Sequence, residues 1–440
     1  MRTGFAIELL LCGLALSACS ADPKGPVHTG GAGAGGASGA GAAGAASMVG
    51  GAAGSAGSAG SVGLAGHSAG GNTQSGAGGS AGQPSGGAGQ GNGGAGQGNG
   101  GAGQANGGAG PVGPRFIGRF DQSKPDAPVF AWPGTAIALS FTGTAISVTL
   151  TDNGNSPSGR NMFEVVIDNT HSGFSVESGM KKYALGTGLA AGAHQLLIYR
   201  RTEASFGETT FNGFDIAPSA YLPGAAPPTH RLEVIGDSIS AGYGNAGTYP
   251  CEFSSATENH YASYGALAAT ALKAELYTEA WSGIGVIRNY DGGTTDVMPV
   301  RYLRSLPDRA ASTWDFARYT PDAVVINLGT NDFANGDPGA AFQAAYLKFV
   351  TDLRGHYPAA RFFLALGTML SGDSYTQAGA YLKAVIAARA TAGDTNLTLL
   401  EFGTQDADAD GLGCDYHPSL KTHRKMADKL QAALKADLGW

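Results

Sequence analysis

The chain has 440 residues, a formal net charge of −7 and 73 glycines. The acidic balance and the lack of any Lys or Arg run argue against nucleic acid as a partner. Most of the excess glycine lies between Gly30 and Gly113, which leaves about 325 residues to fold, enough for two domains with their own cores.

The N-terminus is predicted to be an export signal. A basic start precedes a mainly apolar segment from Phe5 to Ala18, which is too short to span a bilayer. Its end, Leu16-Ser17-Ala18-Cys19, resembles a bacterial lipobox. We therefore expect removal of residues 1–18, lipidation of Cys19 and a location at the bacterial cell envelope, on the outer membrane or cell surface. Membrane contact would be through this anchor only. Glu8 inside the apolar segment keeps plain secretion open as the alternative.

Residues 19–113 are predicted to be a disordered linker. They are mostly Gly, Ala, Ser, Asn and Gln, so burial cannot offset the entropy lost on ordering. A seven-residue repeat, Gly-Ala-Gly-Gln-Gly-Asn-Gly, occupies 87–93 and again 94–100. A Gly-rich coil of this length reaches about 50 to 60 Å, enough to hold a folded unit clear of a membrane surface.

Residues 114–222 are predicted to form an all-β sandwich, most simply a jelly roll. Apolar residues alternate with small or polar ones, as in strands with one buried face. Glycine and Asx turns separate the runs, and no helical periodicity intrudes. The alternating positions are Ile137, Leu139, Phe141, Ile146, Val148, Leu150, Phe163, Val165, Ile167, Leu196 and Ile198.

Residues 223–229 look like an interdomain linker, and strands alternate with helices from there to residue 440. The predicted strands are Leu232 to Ile235, Glu275 to Ala280, Ala323 to Leu328, Arg361 to Leu366 and Leu397 to Phe402. The predicted helices are Tyr261 to Leu272, Pro338 to His356, Ser374 to Thr391 and Ser419 to Leu438. This order predicts an α/β domain in which a five-stranded parallel, flavodoxin-like sheet carries helices on both faces.

Ser238 is the candidate nucleophile. It follows a short apolar strand that stops at Gly236-Asp237, which places its hydroxyl at the carboxyl end of a strand, where open α/β sheets put their sites. The alternative is that the Asp and Ser residues merely cap a helix.

Two further strand ends supply candidate oxyanion donors. Asn331 follows the buried run from Ala323, and Gly283 follows the strand that ends at Ala280. Parallel strands bring their carboxyl ends to one edge, so the Asn331 amide and the backbone N–H of Gly283 and Ser238 can point at one oxyanion. The alternatives are an Asx cap at Asn331 and a plain strand-to-helix turn at Gly283.

His417 is the candidate general base. The other histidines lie in the tail, the β domain, the linker or in or near helices, whereas His417 sits in a loop before the last helix with Asp415 two residues upstream. Such an acid can fix the imidazole tautomer and leave the other nitrogen to take the serine proton. The alternative is a structural loop histidine.

Cysteine usage predicts a disulfide. If Cys12 leaves with the signal and Cys19 is lipidated, only Cys251 and Cys414 remain, and two cysteines in an exported protein favour a bridge. The alternative is two buried thiols.

One segment resembles the start of a calcium loop. Asp406-Ala-Asp-Ala-Asp-Gly411 fits its opening, but position twelve is His417 and not the usual Glu. No metal and no cofactor are predicted, with calcium here as the alternative.

The candidate set as a whole resembles the SGNH hydrolase superfamily. Gly236-Asp237-Ser238 is similar to its first block, Gly283 to its second, Gly329-Thr-Asn331-Asp332 to its third and His417 to its last. Members usually carry an acid three residues before the His, where this chain has Cys414. Asp415 at minus two is the candidate acid, and the alternative is a Ser-His dyad whose imidazole is oriented by a backbone carbonyl.

A closer resemblance, spread over residues 115–440, is to carbohydrate esterase family 2, acetyl esterases with a jelly roll ahead of an SGNH domain. The stretches that carry it are Gly118-Arg-Phe120, Tyr199-Arg-Arg-Thr-Glu203, Gly207-Glu-Thr-Thr-Phe-Asn-Gly-Phe214, Ile235-Gly-Asp-Ser238, Trp314-Asp-Phe316, Pro321-Asp-Ala-Val-Val-Ile-Asn-Leu-Gly-Thr-Asn-Asp-Phe333 and Gly413-Cys-Asp-Tyr-His-Pro-Ser419.

The resemblance implies a metal-independent serine esterase that removes O-acetyl groups from polysaccharides such as xylan or glucomannan. It also implies aromatic side chains that stack on sugars, for which Tyr243, Trp314 and Tyr416 are the candidates, with core or rim packing as the alternative. We expect a monomer. The rival functions are an esterase for a lipid, sialate or peptidoglycan acyl ester and a non-catalytic carbohydrate-binding lipoprotein.

Overall fold

The computed structural model describes residues 110–440. The predicted signal peptide, Cys19 and nearly all of the predicted disordered linker lie outside the described residues. Within the described part, an antiparallel β domain and a parallel α/β domain pack into one compact unit. No helix in this part of the chain combines the length and the apolar character needed to cross a membrane.

The β domain consists of two antiparallel sheets around one apolar core. Its strands are β1 (Arg115–Ile117), β2 (Phe120–Asp121), β3 (Val129–Phe130), β4 (Ala136–Thr142), β5 (Ala145–Asp152), β6 (Met162–Ile167), β7 (Thr170–Ser175), β8 (Gly179–Thr187), β9 (Ala193–Arg200), β10 (Thr209–Phe214) and β11 (Tyr221–Leu222). One sheet has the order β1-β4-β9-β6-β7 with β11 paired to β4, and the other has the order β2-β3-β10-β5-β8.

Every alternating apolar position named from the sequence is buried in this core. Strands β7 and β8 were not predicted, because most of their side chains are exposed and carry no apolar alternation. Both lie at sheet edges, where one flank is unpaired and a polar sequence protects against association.

Residues 110–112 differ from the prediction of a disordered linker. The N–H of Gly110 donates to the carbonyl of Gly224 at 2.8 Å, and Val112 forms a β-bridge with Pro223. Backbone pairing of this kind needs no buried side chain, and Val112 is exposed, so composition carries no signal for it.

The α/β domain confirms the predicted five-stranded parallel sheet. Its strands are β12 (His230–Gly236), β13 (Ala274–Ala280), β14 (Ala323–Asn327), β15 (Arg361–Leu366) and β16 (Leu397–Glu401), in the order β13-β12-β14-β15-β16. Its helices are α1 (Ser238–Ala241), α2 (Tyr264–Leu272), α3 (Met298–Arg301), α4 (Ala340–His356), α5 (Gly372–Thr391), α6 (Ala407–Asp410) and α7 (Leu420–Leu438).

Helices cover both faces of this sheet. On β14, Val324 and Ile326 belong to the apolar cluster packed against α4 and α5. The alternate residues Ala323 and Val325 belong to the cluster packed against α2 and α7. A strand buried on both sides reads as an unbroken apolar run rather than an alternating one, which explains the sequence Ala-Val-Val-Ile.

A buried ion cluster joins the two domains. Arg119, from the β domain, lies 3.0 Å from Glu233 on β12 and 2.9 Å from Glu279 on β13, and all three side chains are fully buried. Burial raises the pKa of Glu279 well above its ordinary range, opposed by the charge of Arg119. Removing one partner of such a buried group costs about 3 to 5 kcal/mol, so Arg119 stabilises the contact between the β domain and the sheet.

Candidate active site

Ser238 is the first residue of α1, directly beyond the end of β12. An added Cβ at Gly236 would overlap the Ser240 hydroxyl, so only glycine permits this tight turn from strand to helix. The Asp237 side chain accepts a hydrogen bond from the Ile239 N–H at 3.0 Å and caps the helix. The capping interpretation therefore applies to Asp237, while the neighbouring serine is free for chemistry.

The strand register brings the other predicted donors to the same edge. Gly236 lies opposite Ala280 on β13 and opposite Asn327 on β14, both in parallel register. The polar segments that follow these strands therefore meet. Gly283 and Asn331 line one cavity of about 740 Å³ together with the serine.

His417 reaches the serine from the loop between α6 and α7. The Ser238 hydroxyl donates to His417 Nε2 at 2.9 Å. The other ring nitrogen, Nδ1, lies 3.0 Å from the backbone carbonyl of Asp415. A carbonyl oxygen can only accept, so the proton is on Nδ1, and Nε2 is left as the acceptor that a general base needs.

The position of His417 also sets its proton affinity. Burial lowers the pKa of its imidazole to about 4, and the Asp415 carbonyl acts in the opposite direction. The ring is therefore neutral at ordinary pH, which is the form that can take a proton from Ser238.

The prediction that the Asp415 carboxylate orients His417 is corrected by the structure. Asp415 has a left-handed backbone, with φ of 49°, which turns its carbonyl toward the imidazole and its side chain away. The carboxylate accepts instead from the Tyr243 hydroxyl at 2.8 Å and from the Phe253 N–H at 3.2 Å. The geometry is that of a Ser-His dyad, the alternative left open by the sequence.

Tyr243 packs between two rings and does not offer a free face to a sugar. Its ring centroid lies 3.7 Å from that of Phe253 and 4.1 Å from that of His417. Two rings this close would overlap each other on one face of the tyrosine, so each must cover a different face. The prediction of sugar stacking by Tyr243 is therefore wrong. The residue lines the cavity but supports the imidazole and, through its hydroxyl, the Asp415 side chain.

Gly283 and Asn331 are held at the cavity by a shared loop. Asn331 Nδ2 donates to the carbonyl of Ile284 at 2.8 Å, which uses one of its two amide hydrogens and leaves the other for a ligand. Gly283 has a left-handed φ of 78°, which a residue with a side chain rarely adopts. The Asp332 carboxylate accepts the N–H of Val286, Ile287 and Arg288, an anchor that sequence reasoning missed.

Two exposed tyrosines form the rim of the cavity. Tyr416 is 59% exposed and Tyr290 is 69% exposed, and both line the cavity. The Tyr416 ring also packs against Tyr249 at 4.6 Å. Tyr416 keeps its predicted position beside the cleft, whereas Tyr290 lies in an irregular loop without a sequence signal.

Trp314 lies away from the cavity, so its predicted sugar contact is wrong. It is 6% exposed and belongs to a cluster with Tyr277 and Tyr319, with the Arg119 guanidinium 5.1 Å from its ring. Trp314 is buried by packing against residues at the edge of the sheet. No local sequence pattern predicts this burial.

Cys251 and Cys414 are bonded in the structure, with Cα atoms 4.7 Å apart. The N–H of Asp415 donates to the carbonyl of Cys251 at 3.1 Å, and an added Cβ at Gly247 would overlap the Cys414 sulfur. The bridge ties the segment that carries Tyr249 to the loop that carries His417.

The calcium-like segment uses its acids in other ways. The Asp406 side chain accepts from the Ala409 N–H at 2.9 Å and caps α6. Asp410 pairs with Lys421 and with Lys425. Among residues 110–440, no group of three or more His, Cys, Asp or Glu side chains is placed to hold a metal ion.

The parallel sheet and the Ser-His pair at its edge define a serine hydrolase of the GDSL type. Residues 234–425 match the GDSL-like Lipase/Acylhydrolase family, and residues 116–227 match the carbohydrate esterase 2 N-terminal family.

The chain belongs to carbohydrate esterase family 2. It is 40% identical over 326 residues to the cellulase/esterase CelE of Acetivibrio thermocellus, covering 73% of this chain but only 39% of the length of CelE. It is 28% identical over 318 residues to an acetylxylan esterase/glucomannan deacetylase of Cellvibrio japonicus, covering 71% of this chain and 85% of that protein.

A solved structure has the same architecture. The family two carbohydrate esterase from Clostridium thermocellum in complex with cellohexaose superposes with a TM-score of 0.71 and 40% identity, covering 74% of this chain and all of that chain.

Proposed function

We propose that this protein is a serine esterase that removes O-acetyl groups from polysaccharides such as acetylated xylan or glucomannan through an acetyl-serine intermediate. The observation that carries the proposal is the 2.9 Å bond from the Ser238 hydroxyl to His417 Nε2 in a cavity that also holds Gly283 and Asn331. The similarity to proteins named acetylxylan esterase/glucomannan deacetylase supports the choice of substrate.

The reaction follows from this arrangement. His417 Nε2 takes the Ser238 proton while Oγ attacks the acetyl carbonyl carbon. The resulting oxyanion accepts hydrogen bonds from the Ser238 and Gly283 N–H groups and from the Asn331 amide. The tetrahedral intermediate collapses as the bond from the carbonyl carbon to the sugar oxygen breaks, and His417 gives its proton to that oxygen. Water then attacks the acetyl carbon while His417 takes its proton. The bond between this carbon and Ser238 Oγ breaks, His417 returns the proton to Oγ, and acetate leaves.

The exposed rings of Tyr416 and Tyr290 suit the sugar part of such a substrate. They stand at the open rim of the cavity, where a ring face can pack on a pyranose while the acetyl group reaches the serine. An esterase for a lipid, sialate or peptidoglycan acyl ester would use the same catalytic residues. It would differ in the groups at the cavity rim that contact the rest of the substrate. A non-catalytic glycan binder would not need the Ser-His bond.

Acetate release from a panel of esters tests the proposal. The panel is acetylated xylan, acetylated glucomannan, O-acetylated peptidoglycan, an O-acetyl sialate and a short-chain lipid ester, with Ser238→Ala as the blank. We expect acetate from the polysaccharides with the wild type only. Cleavage confined to another ester would replace the substrate, and binding of polysaccharide without hydrolysis would overturn the esterase.

Activity is predicted to fall on the acid side with a midpoint near pH 4. A protonated His417 cannot accept the serine proton, so kcat/KM is lost as the pH drops through the pKa of the imidazole, which burial lowers to about 4. The measurement is the pH profile of kcat/KM between pH 3 and 8. Circular dichroism at each pH serves as the control for unfolding. A midpoint near the ordinary value of about 6.5 would contradict the role of burial.

Asp415→Asn is predicted to change kcat little. The imidazole is held by the Asp415 carbonyl, and Asn tolerates the left-handed backbone at this position. We expect kcat within about fivefold of wild type, whereas the loss would be about 10⁴-fold if the carboxylate were the triad acid. Steady-state kinetics of the variant decides between the two, with its melting temperature as the control.

We also propose that the enzyme acts at the bacterial cell envelope, lipidated at Cys19, with plain secretion as the alternative. The lipobox-like residues 16–19 support this location, as does the Cys251–Cys414 bridge, a feature of oxidising compartments. Mass spectrometry of the mature N-terminus tests it, since an unmodified N-terminal residue would contradict the anchor.

A further inference from the structure

A carboxylate of the β domain reaches the loop that supplies the predicted oxyanion donor. Glu203 follows β9 and is 1% exposed. Its Oε2 accepts a hydrogen bond from the backbone N–H of Ser282 at 2.6 Å. Ser282 directly precedes Gly283 in the segment 281–290, here called the oxyanion loop. The β domain thus contacts the backbone one peptide unit before the Gly283 N–H, the predicted oxyanion donor.

We propose that Glu203 is a positioning residue that orients the Gly283 N–H toward the oxyanion, so that the β domain completes the esterase site. The proposal rests on the proposed function, since it assigns a role within that reaction. It gives the β domain a part in catalysis that differs from glycan binding.

The backbone on both sides of the Gly283 N–H is held in place. The peptide before it, Trp281–Ser282, is fixed by the bond from the Ser282 N–H to Glu203. The peptide after it is fixed because the Gly283 carbonyl accepts from the Tyr290 N–H at 2.8 Å. A glycine with φ of 78° has little intrinsic preference for one orientation, so these two anchors determine where its N–H points.

The backbone that carries Glu203 is held in place. Its own N–H donates to Glu258 Oε1 at 3.1 Å, and its carbonyl accepts from Arg200 Nη2 at 3.0 Å. The catalytic domain is attached to the same segment, since the His260 N–H donates to the Arg201 carbonyl at 3.0 Å. The 1% exposed side chain therefore extends toward Ser282 from a fixed backbone.

A packing role alone does not account for a glutamate here. Burial raises the pKa of the Glu203 carboxyl, with the Ser282 backbone N–H acting in the opposite direction, so the group is costly to bury and an apolar side chain would fill the space at a lower cost. The cost of burying the Glu203 carboxylate is explained if the oxyanion loop needs a hydrogen-bond acceptor for the Ser282 N–H.

The chain offers a matched control. Glu208 is also a β-domain glutamate, 9% exposed, and it also crosses to the catalytic domain, where it pairs with Arg309. Neither residue lines the cavity. Loss of Glu208 weakens the interdomain contact without touching the oxyanion loop.

The test compares Glu203→Ala, Glu203→Gln and Glu208→Ala in the full-length protein, with kcat, KM and melting temperature measured on an aryl acetate and on acetylated xylan. Since an error of about 1 Å in a catalytic group can cost 100-fold, we expect Glu203→Ala to lower kcat by about 10- to 100-fold with KM nearly unchanged. Glu203→Gln keeps a carbonyl acceptor and should restore most of kcat. Glu208→Ala should leave kcat unchanged even where its melting temperature falls.

Several outcomes would overturn the proposal. These are a wild-type kcat in Glu203→Ala, equal losses in Glu203→Ala and Glu208→Ala, or a Glu203→Gln variant as slow as Glu203→Ala. If Glu203→Ala does not fold, Glu203→Asp replaces it, because it keeps the charge but withdraws the acceptor by one methylene, and a wild-type kcat there would be equally adverse. The aryl acetate keeps the two proposals separate, since an enzyme active on it but not on glycans loses the proposed substrate while Glu203 is still tested.

Discussion

His417→Ala and Ser238→Ala are each expected to lower kcat by about four to six orders of magnitude, and the double variant is expected to be no slower than either one. The reason is that a hydrogen bond of 2.9 Å joins the two side chains, so they act together in a single proton transfer. Without the base, the hydroxyl keeps its proton and is a poor nucleophile. Without the hydroxyl, the base has nothing to activate. The measurement is acetate release by the three variants at equal concentration.

The melting temperature of each variant is the control, because an unfolded variant would also be inactive. The His417 ring packs on Tyr243 at 4.1 Å, so its removal leaves a gap beside Tyr243. His417→Gln, closer in volume, should be as inactive as His417→Ala while melting nearer to wild type. A double variant slower than each single one by a further factor of thousands would mean that the residues act independently and would contradict the dyad.

Asn331→Ala is expected to lower kcat by about 10²- to 10³-fold with a small change in KM, because it removes a hydrogen-bond donor that strengthens as the oxyanion forms. The bond to the Ile284 carbonyl uses one amide hydrogen of Asn331, and the side chain lines the same cavity as Ser238 and Gly283. Steady-state kinetics on an aryl acetate measures the effect without the complication of glycan binding.

Two comparison variants sharpen the Asn331 prediction. Asn331→Asp is nearly isosteric but places a negative charge where the oxyanion develops, so its kcat should be lower than that of the alanine variant. Ser371→Ala changes a residue that lines the same cavity without a part in the proposed reaction and should leave kcat unchanged. An Asn331→Ala enzyme with wild-type kcat would remove the side chain from the oxyanion site.

The strands were predicted correctly where burial of their side chains leaves a recognisable pattern of apolar residues in the sequence. The alternation of Ile146, Val148 and Leu150 marks β5, and the unbroken apolar run of β14 marks a strand covered on both faces. Strands β7 and β8 escaped prediction because an edge strand with exposed side chains has no such trace. The pairing of residue 110 with residue 224 escaped it because only backbone atoms are involved.

The sequence by itself determined which chemical groups are present and which strand ends they follow. Ser238, Gly283 and Asn331 each lie within four residues of the end of a strand, and parallel strands bring those ends to one edge of the sheet. That rule places the groups near one another without any knowledge of side-chain directions, because it depends only on connectivity.

Only the tertiary structure decided which atoms face one another. Asp415 was the expected acid, yet a backbone φ of 49° turns its carbonyl to His417 and its carboxylate to Tyr243. Trp314 is buried in the interior. Glu203 belongs to the β domain but contacts the oxyanion loop of the catalytic domain. Such relations depend on local dihedral angles and on how two domains dock, and neither leaves a period or a spacing in one linear sequence.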